Sequence, residues 1–433
     1  MKFGFVSLGC VKNRVDTERM MGIIRDSNYE IVSNPREADC IIVNTCGFIN
    51  PAKEEAINTI LEMLELKQEN LKKLIVAGCL VERYYEELLL ELPEVDFFIR
   101  IQDYTDFSKE LERILEIPFY GKFKHVERFI STKPWMAYLK IAEGCSNRCH
   151  YCAIPLIRGP YYSHPMEELI EEAKTLVNSG VKELVIIAQD TTRYGEDRYG
   201  ERKLLTLLEE LNRLDGLHWI RILYMYPDEI DERLVDGMKK LSKVLPYFDI
   251  PMQHGANRML EAMNRRGSRE DILRMIHYIR AVYPNAVLRT TMIVGYPGES
   301  TVDFEEMIQF IEKVQWDSLG AFTYSKEEDT VAYDLKNEVD EEVQEKRYHE
   351  LMGIQQEIAN QKKQLLVKQE LEVLIEGYDA LKQSYRGRSI FNAPDGIDGV
   401  VYVNTNQKLV FGTFVKVKIM EYSRYDLYGE ISD

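Results

Sequence analysis

Three thiols stand at CxxxCxxC spacing in Cys145-Ser-Asn-Arg-Cys149-His-Tyr-Cys152. Thiolates so placed wrap three corners of a 4Fe-4S cubane and leave its fourth iron without a protein ligand. A cluster that only passes electrons normally takes four cysteines, whereas one that must hold a substrate needs an open iron. A zinc ion would want a fourth ligand, for which His150 or His164 would have to serve, and the spacing favours the cluster.

Cys10, Cys46 and Cys79 make a second set. Each closes a short apolar run, as Ser-Leu-Gly-Cys, Val-Asn-Thr-Cys and Val-Ala-Gly-Cys. If the runs are neighbouring parallel strands about 5 Å apart, the three thiols converge on one edge of the sheet and could hold a second three-cysteine cluster. Taken singly, each reads more often as a buried apolar cysteine. Cys40, the seventh, opens its run at the opposite pole and reads as core. An odd cysteine count in a chain without an export signal argues against a disulfide framework.

The elements that must position these thiols follow from periodicity. Apolar runs at 3–8, 41–44 and 74–77 alternate with amphipathic helices at 16–26 and 51–66, which predicts a parallel α/β domain over residues 1–125. Further candidate strands lie at 137–141, 184–188, 219–223, 248–251, 287–294 and 319–324, with helices at 167–179, 204–214, 232–241 and 269–282. Such an alternation predicts an open (β/α)6 partial TIM-like barrel over 130–367, with its chemistry at the C-terminal ends of the strands. A charged helix from residue 340 to 368 leads into runs at 371–375, 400–403 and 413–420 between turn signals, which predicts a small antiparallel β-barrel over 368–433. The N-terminal apolar run is too short for a signal peptide, and no later segment reaches the ~20 apolar residues of a membrane span, so a cytoplasmic location without membrane contact is expected.

With the aromatic Tyr151 before its last cysteine, the Cys145–Cys152 segment resembles the radical S-adenosylmethionine superfamily. That resemblance implies that the open iron chelates the methionine portion of the cofactor, that Tyr151 lies near the adenine, and that reductive cleavage yields a 5′-deoxyadenosyl radical. The three-part pattern looks like the methylthiotransferase family over essentially the whole chain. Asn44-Thr-Cys-Gly-Phe, Arg158-Gly159 and Pro251-Met-Gln-His-Gly255 also match. The resemblance implies two 4Fe-4S clusters, S-adenosylmethionine, an electron donor such as flavodoxin or ferredoxin, and a sulfur donor. The cluster of Cys145, Cys149 and Cys152 would make the radical, and that of Cys10, Cys46 and Cys79 would handle sulfur.

Polar groups at the ends of predicted barrel strands are candidates for holding the cofactor: Gln189, Asp190, Tyr224, Gln253 and His254, with Gly295 in the turn after the fifth strand. A solvated loop residue or a plain tight turn would explain each one singly.

Two branches of the family compete, one modifying a tRNA adenosine beside the anticodon and one a β-carbon of an aspartate in ribosomal protein S-twelve. The chain carries a formal charge of −17, and its last segment, from Lys368, has eight Lys or Arg against ten Asp or Glu. A tRNA-binding module should be basic. An acidic one suits a basic ribosomal protein better. The stretch Arg388-Ser-Ile-Phe-Asn-Ala-Pro-Asp-Gly-Ile-Asp-Gly399 resembles the ribosomal-protein branch, with one extra residue between Pro394 and Ile397. A non-catalytic iron-sulfur RNA-binding protein is the reading of another class, and the open-iron motif argues against it.

Overall fold

The computed structural model describes residues 1–123, 128–394 and 396–432. The expected boundary at residue 125 and the acids Asp395 and Asp433 lie outside the described residues.

The first five strands, β1 (Lys2–Ser7), β2 (Glu30–Ile31), β3 (Cys40–Thr45), β4 (Lys73–Gly78) and β5 (Phe97–Ile99), form one parallel sheet in the order β2-β1-β3-β4-β5. Every residue of β3 is buried, as a parallel strand covered on both faces requires. β2 and β5, of two and three residues, are too short to carry a periodicity. The first helix starts at Val11 rather than at residue 16. Its opening turn looks like a polar loop in sequence, yet Lys12, Asn13, Asp16, Thr17, Glu18 and Arg19 are all buried, because this polar face packs against the second sheet system.

That system begins with β6 (Met136–Lys140). A small antiparallel ribbon, β7 (Ala142–Glu143) with β8 (Tyr162–Ser163), flanks the cysteine loop. Then come β9 (Glu183–Ile187), β10 (Trp219–Ile222), β11 (Tyr247–Asp249), β12 (Val287–Val294) and β13 (Ser318–Thr323). β6, β9 and β10 pair in parallel, as do β11, β12 and β13. A parallel bridge from Ile220 to Val244 joins the two halves, so the six strands run in chain order around a partial barrel that stays open between β6 and β13. The core lies between its strands and its outer helices.

A helix at Glu341–Leu366 leads to β14 (Glu370–Asp379), β15 (Ser384–Arg388), β16 (Val401–Asn404), β17 (Phe414–Tyr422) and β18 (Leu427–Ile431), which close into a barrel in the order β14-β15-β16-β18-β17. β15 and β18 each contain a glycine that breaks the apolar alternation, which hides them in the sequence. Arg388 reaches Glu183, the first residue of β9, at 2.6 Å, and Phe414 packs edge-on to Trp219, the first residue of β10, at 4.7 Å. The small barrel thus covers the N-terminal ends of these strands, away from the cysteine loop.

Candidate active site

Cys10 precedes the first helix in extended conformation, Cys46 follows β3 directly, and Cys79 opens the helix Cys79–Arg83 after β4. Parallel pairing of β1, β3 and β4 brings these ends to one edge. Gly9, at φ 78°, lies so close to Cys46 that a Cβ there would stand 2.8 Å from the Cys46 Sγ, and only glycine lets the two loops meet. Asn13 ties the edge together, its amide donating to the carbonyls of Leu8 and Thr45 at 2.9 Å each. Burial pushes the Cys46 thiol up and the Cys79 thiol up to about 12. Cys40 is fully buried among Phe3, Met20 and Ile42, at the far end of β3.

The second set occupies the loop after β6. Cys145 N donates to the Gly159 carbonyl at 3.1 Å and Cys152 N to the Cys149 carbonyl at 3.0 Å, while Arg148 takes φ 53° to turn the loop. Burial raises the thiols of Cys145, to about 11, and Cys152. Arg265 is buried against this loop, with its Nη1 3.6 Å from Cys149 Sγ and its guanidinium 4.0 Å from the Tyr226 ring centroid.

A short helix, Ile154–Arg158, leaves Cys152 and carries the chain to the first set. Ala153 and Ile157 pack on Cys79. Arg158 Nη2 donates to Asn13 Oδ1 at 2.8 Å and lies 3.4 Å from Cys79 Sγ. Its other nitrogen meets Asp16 at 2.6 Å and Glu143 at 3.3 Å. Lys140 bonds the same two acids. Burial would raise Glu143, but Lys140 and Arg158 outweigh it and hold its carboxyl far below the ordinary range.

A cavity of about 650 Å³ opens beside both sets. Phe48 and Asn50, just past Cys46, line it with Tyr151, Gln253, Tyr324 and Glu327. Of the residues expected to hold a cofactor, Tyr151 and Gln253 share this cavity, and Gln253 has φ 74°, a strain of the kind found at functional sites. The other candidates do not line it. Gln189 donates to Glu143 at 3.3 Å and leaves its buried Oε1 unpartnered. Asp190 is fully buried, accepting from Asn147 at 2.8 Å inside the cysteine loop and from Thr192 at 2.6 Å. Tyr224 lies under Lys12, with Nζ 3.2 Å from its ring centroid. His254 Nδ1 accepts from Ala256 N at 3.0 Å. Gly295 donates its N–H to Glu299 at 2.8 Å, and a Cβ there would collide with Gln344.

Glu327, which follows β13, reaches into the first sheet system. It meets Arg83 at 2.8 Å, Lys53 at 3.0 Å and Asn50 N at 2.9 Å, and Arg83 donates on to the carbonyl of Gly47, next to Cys46. Sequence reasoning passed over Lys12, Asp16, Glu143, Arg265 and Glu327. Their charges read as solvated faces and become functional neighbours only once the two sheet systems dock.

The donor sets fit iron-sulfur clusters. Each is three thiols with one buried arginine against a sulfur, Arg158 at Cys79 and Arg265 at Cys149. A guanidinium buried beside a neutral thiol is poorly compensated, whereas beside a thiolate of an anionic cluster it is matched. Among the described residues no three His, Cys, Asp or Glu converge tightly enough for one metal ion. A cubane instead spreads its thiolates over separate irons. His150 Nδ1 donates to the Ala262 carbonyl at 2.9 Å. Among the described residues no helix is long and apolar enough to cross a membrane.

Comparison with known proteins agrees with this arrangement. Residues 2–100 match the model of the uncharacterized protein family UPF0004, residues 139–311 that of the radical SAM superfamily, and residues 367–431 that of the TRAM domain. The chain is 48% identical to the ribosomal protein uS12 methylthiotransferase RimO of Clostridioides difficile over 100% of this chain and 99% of that protein. It is 47% identical to the RimO of Aquifex aeolicus over 99% and 97%, and 45% identical to that of Acetivibrio thermocellus over 99% and 98%. Among solved structures, the radical S-adenosylmethionine methyltransferase TsrM of Kitasatospora setae, with tryptophan and a cofactor analogue bound, superimposes with a TM-score of 0.56 at 12% identity, covering 74% of this chain and 72% of TsrM. This likeness concerns the fold.

Proposed function

The chain belongs to the RimO family of ribosomal protein uS12 methylthiotransferases, radical S-adenosylmethionine enzymes, and from that premise we propose that it adds a methylthio group to the β-carbon of an aspartate of ribosomal protein uS12, the S-twelve protein above. In this reading Cys145, Cys149 and Cys152 hold one 4Fe-4S cluster and Cys10, Cys46 and Cys79 a second, in a cytoplasmic enzyme whose further partners are an electron donor of the flavodoxin or ferredoxin kind and a sulfur donor. Residues 1–125, 130–367 and 368–433 then serve as sulfur-handling, radical-forming and recognition domains. When bound, the two clusters and S-adenosylmethionine supply the radical that removes a substrate hydrogen and the methylthio group that replaces it.

The observation that carries the proposal is the shared seam. The helix that leaves Cys152 packs on Cys79 and ends in Arg158, beside the Cys79 sulfur. Two sets of thiols joined through this seam can act in turn on one substrate that reaches them past the cavity that Tyr151 and Phe48 both line. Arg158, Lys140, Asp16 and Glu143 fix the seam and keep bulk water from it. Gln253 and Tyr151 line the wall on which the cofactor would rest.

The test is mass spectrometry of ribosomal protein uS12 from cells with and without this gene, and of uS12 incubated with the anaerobically reconstituted enzyme. The expected result is a methylthio mass gain located on one aspartate by fragmentation. An unmodified protein together with a methylthiolated anticodon-loop adenosine would overturn it.

A further inference from the structure

Lys12 lies in the first turn of the helix Val11–Asp26, two residues past Cys10, and its side chain turns inward until it is 7% exposed. Its Nζ sits 3.2 Å from the centroid of Tyr224, just past the end of β10, where Tyr224 is held at φ 60°. The Tyr224 ring is the group found against this ammonium. The acids around it are already engaged. Glu143 and Asp16 share Lys140 and Arg158, and Asp249 faces Arg289 at 3.7 Å while accepting from Tyr224 N at 2.9 Å. Asp398 also approaches Arg289, at 3.9 Å, and the Cys10 thiol is the other acidic group near Lys12, so Lys12 is the buried cation of this group with an aromatic ring, and not a carboxylate, against it. A buried charge left unpaired is expensive, and the aromatic face under it offsets only part of that cost. Such a cation suits an anion that arrives from outside.

We propose that Lys12 binds the carboxylate of the substrate aspartate, holding it beside Tyr224 at the C-terminal end of β10 on the cysteine side of the partial barrel. This rests on the reading of the substrate as an aspartate of uS12. The ammonium, stacked on the Tyr224 ring, would donate to a carboxylate oxygen. An adenosine offers no carboxylate, so the same lysine would separate the two substrates of the wider family.

The test uses the anaerobically reconstituted holoenzyme and two labelled peptides of uS12 spanning the modified aspartate, one natural and one with Asn at that position. The wild type should bind the natural peptide roughly 10- to 100-fold more tightly, the value of one charge-assisted contact in a dry site. Lys12→Met should bind the natural peptide as weakly as the wild type binds the Asn peptide and should lose nothing further on the Asn peptide, with Lys12→Gln behaving alike. Iron content and binding of S-adenosylmethionine should match the wild type. Equal binding of the two peptides by the wild type overturns the proposal without any variant. So does loss of iron or of S-adenosylmethionine binding in Lys12→Met, which would assign the cation to a cluster or to the cofactor. If uS12 carries no modified aspartate, the reading of the substrate falls and this inference with it. If the aspartate is modified yet the peptides bind alike, the inference alone falls.

Discussion

Arg158 Nη2 lies 3.4 Å from Cys79 Sγ, although Cys79 follows β4 of the first sheet and Arg158 ends the helix that leaves the Cys145–Cys152 loop. The same guanidinium bonds Asn13, Asp16 and Glu143, so one side chain shares with Lys140 the acids of the seam and faces one sulfur of the first cysteine set.

Removing that charge should be costly. Arg158→Leu leaves Asp16 and Glu143 with Lys140 alone in a buried site, a loss of about 3 kcal/mol. Thermal unfolding of the variant should show it. Mössbauer spectra should change only at the cluster proposed on Cys10, Cys46 and Cys79, and an unchanged spectrum would separate Arg158 from that site.

Iron content tests the two-set arrangement directly. Two cubanes predict about eight irons per reconstituted chain, and replacing Cys145, Cys149 and Cys152 with Ala should leave about four, still in a cubane. Cys40→Ala should keep the full iron and cost only a few kcal/mol of packing, about what a small buried side chain is worth. An iron-free triple variant would refute the independence of the sets.

How legible these features were depends on scale. The cysteine sets could be read because an apolar run ending in Cys marks the C-terminal end of a parallel strand, and the ends of β1, β3 and β4 do meet on one edge. The six barrel strands were equally plain. Lys12, Asn13 and Asp16 were hidden, since charges in a helix's first turn look solvated until a second sheet system covers them. Asp398 misled in the other direction. It counts as an acid of the C-terminal barrel, yet its carboxylate is buried, accepting from Tyr247 Oη at 2.5 Å and from Ala393 N at 2.9 Å. Its charge faces inward and cannot serve a partner.

Glu327 gives a pH dependence with a definite sign. Burial would raise its carboxyl, but hydrogen bonds from Ser325, Arg83 and Lys53 prevail and hold it below the ordinary value. A carboxyl lowered on folding stabilises the fold in full above its unfolded pKa, about 4.3, and that stability is lost as the pH falls through this value towards the lower folded one. Thermal stability should therefore drop below about pH 5 in the wild type. Glu327→Gln should be less stable at pH 7 by about 2 to 4 kcal/mol, because Arg83 and Lys53 lose their shared acid, and should show a shallower acid limb. An identical acid limb would place the titration elsewhere.

The last prediction concerns recruitment of the basic substrate. With Asp398 turned inward and Glu376 bound to Arg388 at 2.8 Å, the charge that a partner could meet rests on exposed positions such as Glu421 on β17 and Glu430 on β18. Glu430 stands opposite Lys418 in the β17–β18 register, so reversing it also removes a cross-strand partner. Glu421→Lys with Glu430→Lys should raise the KM for uS12 roughly three- to tenfold, since exposed pairs contribute up to about 1 kcal/mol each. The effect should shrink as salt is added, because charges at this distance are screened beyond about 10 Å at 0.1 M. The small barrel packs on the N-terminal ends of β9 and β10, away from the cysteine loop, so its charges can steer the substrate but not set the reacting geometry. The kcat and the formation of 5′-deoxyadenosine without substrate should stay as in the wild type. A fall in kcat at unchanged KM would mean that this surface acts on the chemistry and not on the encounter.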